Sequence, residues 1–353
     1  MIGSAAPARR PNVVFILAGG WRALPLDDVR LPNIETLAKR GVHFERLYTC
    51  CPSAAPSRAA LITGRFPYAA VDQPSLAEPL KRAGYRAGFA DAGLAPADPD
   101  QQTDLAIDFI KQGGAKPFYL FLAWGPRRPS TGQRHDPRQI RLRANVPADL
   151  EETARSNYSR YYDLCSAVDE KVGRLLRTLD DQHLAEDTIV VFTSDSGTML
   201  DSQGLEGDNQ PFEESARVPL IVRYPRIVAG GPKHDALLSN VDLMPTLLGL
   251  CGVEIPATVQ GQDFASHRES IYCSGRLGDP AEWRMVVRGL DKLVVDRELN
   301  VTHLYNLGQD PFEMENLARD VSQDLKRDEL KALLKDWMRR AGDGMDSSGL
   351  KKR

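Results

Sequence analysis

Residues 10–20 read RPNVVFILAGG, and the run from Val13 to Ala18 inside them decides the fold. Every side chain in that run is apolar, with no polar alternation, so a strand built from it is buried on both faces. Such a strand belongs in the middle of a sheet covered by helices. The run is too short for the core of a signal peptide and follows two arginines and a proline. Residues 188–193, TIVVFT, carry the same signature, and the two runs are predicted to be neighbouring core strands. Residues 86–90, 118–123 and 219–223 read as further strands. Helical patterns fall between them at 31–41, 57–63, 76–84, 157–179 and 241–250. Asn33 is placed to cap the first helix and Gly41 to end it. In the long helix Tyr161, Leu164, Val168, Val172 and Leu175 recur at helical spacing. The alternation predicts an α/β fold with a large, mainly parallel central sheet flanked by helices.

Residues 125–150, rich in Arg, Pro and Gln, are expected to form a surface loop. From about Gly261 the pattern turns to short strands at 270–273, 285–288 and 292–295, with a last helix over 322–340. The expected organisation is an α/β domain over 1–260, a small C-terminal α+β subdomain over 261–341, and a disordered tail over 342–353.

The chain has 353 residues, 42% hydrophobic and 26% charged. That is ordinary globular composition and ample length for a buried core. Lys+Arg total 45 against Asp+Glu 48, a net charge of −3, so no basic excess points to nucleic acid or an anionic membrane. No stretch approaches the apolar length of a membrane helix. Cys50, Cys51, Cys165, Cys251 and Cys273 are odd in number and match no zinc spacing. They favour a reduced, cytoplasmic setting; a removed signal peptide, with secretion or a periplasmic location, would leave the same sequence.

Seven segments in order carry a resemblance: RPNVVFILAGG, LPNIETLAKRGVHFERLYTCCPSAAPSRAALITGRFP, KPFYLFLAWGPRRP, DTIVVFTSDSG, FEESARVPLIVRYP, NVDLMPTLLGLCGV and LYNLGQDPFEMENLA. They resemble the successive blocks of the sulfatases, within the alkaline-phosphatase-like superfamily, from residue 11 to about 340. The resemblance implies that superfamily's fold and sulfate-ester chemistry. A carboxylate-held divalent metal polarises the ester, and Arg and Lys neutralise its charge. A histidine or lysine protonates the leaving group. The nucleophile is a formylglycine made from the first residue of C-x-P-S-R.

Residue by residue, the chemistry does not carry over. The nucleophile motif falls on Ala54-Ala55-Pro56-Ser57-Arg58, where a methyl group stands at the nucleophile position. Cys50, Cys51 and Ser53 lie nearby but out of register. The two aspartates that end the family's first strand become Gly19 and Gly20, and the second metal pair becomes Asp195 and Ser196. The Lys and His of the G-K-W-H block become Asp91 and Gly93, the His of P-H-x-P becomes Arg127, and a late Lys becomes Asp208. Only Arg58 and Asp195 keep their family identity, whereas scaffold features such as Asn12, Gly64-Arg65-Phe66-Pro67 and Arg217-Val218-Pro219 persist.

The expectation is a pseudo-sulfatase with a binding or structural role. It has no catalytic residue, no metal and no cofactor, and its pocket is vestigial: Arg58, Asp195, Ser196, Arg127, Asp91, Asp208, Gly19 and Gly20. The alternative is an active sulfuric- or phosphoric-ester hydrolase whose Asp91, Asp195 and Asp208 hold calcium at a relocated site. Arg58 has two readings, an anion site at a helix N-terminus or a salt bridge to an acid. Asp195 has two as well, a residual metal ligand or the carboxylate that pairs with Arg58. Asp27 and Asp28 read as solvated loop charges, and Trp21 as filler of the volume the metal site vacated. Arg127, Arg128, Arg134, Arg138, Arg141 and Arg143 form a basic stretch that could meet a protein partner or a polyanion.

Overall fold

The computed structural model describes residues 10–23, 29–69, 75–88, 98–125, 134–226, 233–266 and 268–344. In chain order the main elements are β1 (Asn12–Ala18), α1 (Pro32–Lys39), β2 (Val42–Tyr48), α2 (Ala54–Thr63), α3 (Ala77–Arg82) and β3 (Arg86–Gly88). Next come α4 (Pro99–Lys111), β4 (Phe118–Trp124), α5 (Glu151–Asp181), β5 (Thr188–Thr193), α6 (Glu213–Ala216), β6 (Arg217–Arg223), β7 (Lys233–Ser239) and α7 (Leu243–Leu250). The last are β8 (Ser270–Gly275), β9 (Trp283–Arg288), β10 (Asp291–Val295), β11 (Val301–Asn306) and α8 (Asp324–Ala341).

The large sheet runs β3-β4-β1-β5-β6-β2-β7. β1 lies between β4 and β5 and is parallel to both, so the two apolar runs are neighbours at the centre, as predicted. β6 is the exception to the parallel order, antiparallel to β5 and to β2. Asn12 stitches the centre together. Its Oδ1 accepts from Phe118 N at 3.0 Å, and its Nδ2 donates to Thr188 Oγ1 at 3.3 Å. Val13, Phe15 and Leu17 face one apolar layer with α7, while Val14 and Ile16 face the other with α1 and α5. That two-sided burial is why β1 reads as an unbroken apolar run.

The first helix differs from the sequence reading. Asn33 lies inside α1, and the cap comes from Asp169 on α5, whose Oδ1 accepts from Asn33 N at 3.1 Å and Ile34 N at 2.8 Å. The long helix passes so close that a Cβ on Gly173 would stand 2.3 Å from Asn33 Oδ1. Three strands went unread, β2, β7 and β11, together with α4. The predicted strand over 86–90 is described only as Arg86–Gly88.

The second sheet is antiparallel, in the order β11-β10-β9-β8, with α8 packed on it. The two sheets meet through buried charge. Lys292 of β10, fully buried, places Nζ 2.6 Å from Glu313 Oε1 and 3.2 Å from Glu213 Oε1 of α6. Of the tail expected over 342–353, residues 342–344 are ordered, and Asp343 accepts from Tyr272 Oη at 2.6 Å and Arg284 Nε at 2.8 Å. Residues 345–353 lie outside the described residues. Among the described residues no helix is long and apolar enough to cross a membrane.

Candidate functional site

The C-terminal ends of β1 and β5 open toward the start of α2, where ligand sites of open α/β sheets sit. Gly19 and Gly20 follow β1, and Asp195 and Ser196 follow β5. The first turn of α2 begins at Ala54 and carries Arg58 one turn on. Asn240 holds that helix in place: its Oδ1 accepts from Cys50 N at 2.9 Å and its Nδ2 donates to Ser57 Oγ at 3.0 Å. Burial pushes the Cys51 thiol up to about 12, away from the thiolate form that a nucleophile needs.

Arg58 Nε donates to Asp195 Oδ2 at 2.6 Å. Asp195 is 1% exposed, and its other oxygen accepts from Gly20 N at 3.3 Å. The guanidinium also takes the room a side chain at position 19 would need. A Cβ on Gly19 would stand 3.3 Å from Arg58 Nη2 and 3.5 Å from Asp195 Oδ1. Gly20 adopts φ +73°, a left-handed conformation that glycine takes without strain.

A hard divalent cation takes about six oxygens, several of them carboxylates. Here positions 19 and 20 offer no side chain, Asp195 is already engaged by Arg58 and Gly20, and Ser196 Oγ is turned to Asp208 Oδ2 at 3.2 Å. This donor set does not fit the family's metal. Ala54 likewise lacks the sulfur from which a formylglycine is made.

Burial raises the Asp208 carboxyl above the usual range, the Ser196 hydroxyl works against that, and the neighbouring Asp195 charge adds to it. Asp208 lines a cavity of about 430 Å³ together with Gly20, Arg160, Tyr161, Leu164 and Leu200. The next residue, Asn209, donates from its backbone to Pro52 O at 2.7 Å. It lines a second cavity, of about 420 Å³, with Cys51, Ser53 and Arg276. The 208–209 segment therefore contributes to two cavities, the second of which reaches the start of α2 at Ser53 and Pro56.

Asp91, Gly93, Arg127, Arg128, Asp27 and Asp28 lie outside the described residues. The structure thus brings together Gly19, Gly20, Arg58, Asp195, Ser196 and Asp208, with Ala54 one helical turn before Arg58. Trp21 packs edge-on against Phe192, with ring centroids 5.3 Å apart, and is part of the core beneath β5. In the basic stretch Arg134 pairs with Glu170, Arg138 with Asp136 and Arg143 with Glu214, so those arginines meet acids of this chain. Arg160 was missed because an arginine on a long amphipathic helix reads as a solvated face. Only the fold shows that it stands over a cavity.

The sulfatase family profile matches residues 11–95 and 93–253, and the chain belongs to that family. It is 27% identical over 333 residues to the ulvan-active sulfatase of Formosa agariphila, a match covering 72% of this chain and 64% of that protein. It is 31% identical over 198 residues to the N-acetylglucosamine-6-O-sulfatase of Bacteroides thetaiotaomicron, covering 50% of this chain and 35% of that protein. The chain thus spans less than two thirds of the length of both relatives. A solved structure of a protein in complex with its substrate D-glucosamine-2-N,6-O-disulfate has a TM-score of 0.83 at 20% identity, covering 98% of this chain and 100% of that chain. That likeness establishes a shared fold.

Proposed function

We propose that this chain is a non-hydrolytic member of the sulfatase family, a scaffold that binds a ligand or partner without cleaving sulfate esters. The observation that carries the reading is the Arg58–Asp195 ion pair, 2.6 Å long. A side-chain cation already neutralises the one carboxylate that remains of the family's metal set. Ala54 supports the same reading, because a methyl group offers no nucleophile for covalent catalysis. The sulfated substrates in the relatives' names do not transfer easily to a pocket that has exchanged two lysine positions for Asp91 and Asp208. In this reading residues 1–260 carry the vestigial site and residues 261–341 supply part of its rim. Five free, buried cysteines support a reducing compartment.

The test is turnover of an aryl sulfate by the full chain, coexpressed with a formylglycine-generating enzyme and supplied with calcium. The expected result is a rate equal to the buffer blank. Turnover that disappears in Asp195→Ala but survives a distant surface substitution would refute the reading and restore the ester hydrolase with a rebuilt site.

A further inference from the structure

The 430 Å³ cavity beside the ion pair falls within the size range of small-molecule sites. Its two walls carry opposite charge. The α5 wall presents Arg160, exposed and without an ion-pair or hydrogen-bond partner among the described residues. Behind that wall lies a second cation, Arg22, which is 2% exposed. Its Nε donates to Thr198 O at 2.6 Å and its Nη1 to Tyr158 Oη at 2.7 Å. Its Nη2 donates to Met199 O and Ser202 Oγ. No carboxylate touches the Arg22 guanidinium among the described residues, so its charge is solvated by carbonyls and hydroxyls alone.

The facing wall is the segment after β5. It presents Asp208, whose side-chain partner among the described residues is the Ser196 hydroxyl. Asp208 and Arg160 line the same cavity yet form no ion pair with each other. Nearby, Arg58 and Asp195 cancel each other at 2.6 Å, and Asp201, 3% exposed, accepts from the cavity-lining Asn157 Nδ2 at 2.9 Å. Leu164 and Leu200 supply apolar surface to the same space. A cation and a carboxylate that line one partly apolar cavity without an ion pair complement a molecule that carries both charges itself. A simple anion would meet Asp208, and a simple cation would meet Arg160.

We propose that this cavity binds a small zwitterion, with an ammonium group on Asp208 and a carboxylate on Arg160. The inference deepens the non-hydrolytic reading and rests on it in one respect, that the Arg58–Asp195 pair stays closed.

The experiment is calorimetric titration of the full chain, with no ester present, using L-leucine and 6-aminohexanoate, which differ in charge separation. At least one of them binds saturably, and its N-acetyl and amide derivatives, each lacking one charge, bind about tenfold more weakly or worse. Asp208→Asn and Arg160→Gln each weaken the zwitterion about tenfold while leaving the thermal midpoint unchanged. Both residues are exposed, so neither variant is expected to disturb folding. The proposal is overturned if neither zwitterion binds at about 10 mM, or if loss of the ammonium or carboxylate leaves affinity unchanged. Sulfate-ester turnover, measured separately, would overturn the non-hydrolytic reading without touching these isotherms.

Discussion

Arg58 and Asp195 are 137 positions apart in the chain, yet Nε and Oδ2 stand 2.6 Å apart, tying the first turns of α2 to the end of β5. The two partners are unequally buried, 27% exposed for the arginine side chain and 1% for the aspartate. Their removal should therefore be unequal. Arg58→Ala strands a buried carboxylate and is expected to cost about 3 kcal/mol. Asp195→Ala leaves an arginine that reaches water and should cost distinctly less. Urea unfolding of both variants measures the difference, and equal losses would show that the carboxylate is solvated after all.

Restoring the nucleophile alone is not expected to restore activity. Ala54→Cys, coexpressed with a formylglycine-generating enzyme, supplies one member of a set whose members act as a unit. By the family resemblance, the metal ligands expected at positions 19 and 20 and the basic groups expected at positions 91 and 208 would still be absent. Aryl-sulfate hydrolysis by that single variant would show that the remaining pocket is catalytically sufficient.

Calcium is expected to leave the thermal midpoint of the unmodified chain unchanged. Gly19→Asp alone should stay calcium-insensitive, because its carboxylate would grow toward Arg58 Nη2, 3.3 Å from the Cβ position. Gly20→Asp should cost about 1 kcal/mol, since φ there is +73° and the left-handed conformation disfavours a side chain. Differential scanning calorimetry with and without calcium reads all three. Micromolar binding by the unmodified chain, lost in Asp195→Ala, would contradict the argument.

Gly173→Ala tests the packing of α1 on α5. The new methyl would meet Asn33 Oδ1 at 2.3 Å and disturb the Asp169 cap, for an expected loss of about 1–3 kcal/mol. A chemical denaturation curve unchanged in midpoint would mean that the helices separate at no cost.

Acid should weaken the fold in the histidine range. Burial lowers the pKa of His43, and burial together with the Lys292 charge lowers that of His303. At these two rings the folded state therefore binds fewer protons than the unfolded state as pH falls, while Glu313, pushed up to about 7 by burial, acts in the opposite sense. The stability these neutral rings contribute is present above about pH 6.5, the unfolded value, and is lost as pH drops toward their folded values. Thermal midpoints taken from pH 7.5 to pH 5 isolate the histidine part by comparison: relative to the unmodified chain, His303→Gln should lose less stability on acidification. A variant with the full slope would assign the effect elsewhere.

What was legible in the sequence follows from burial. β1 and β5 announce themselves because both of their faces are covered. β2 does not, because Glu45 and Arg46 interrupt its apolar residues and the ladder slips between Phe44 and Leu47, which destroys any period of two. β7 begins with Lys233, His234 and Asp235 at an edge of the sheet and reads as loop. The missed α4 did carry a start signal, since Asp98 accepts from Asp100 N and Gln101 N ahead of Pro99. At the site, position-by-position likeness singled out Arg58 and Asp195, but no local pattern says which residues of a long helix overhang a cavity. Arg160 and Asp208 become neighbours of one space only through the packing of α5 beside the end of β5.

The placement of β2 also has a cost in time. Its sheet neighbours are β6 and β7, and the contact from Arg217 Nη1 to Glu45 O joins residues 172 apart in the chain. At about 5–20 residues per second, translation leaves β2 without its partners for on the order of 10 s after its own synthesis. Throughout that interval Phe44, Leu47 and Tyr48 sit on a nascent strand with open edges. β2 can therefore enter its own sheet only once residues 217–239 have been synthesised, which makes its open edges the stretch of this chain most exposed to pairing with a wrong partner.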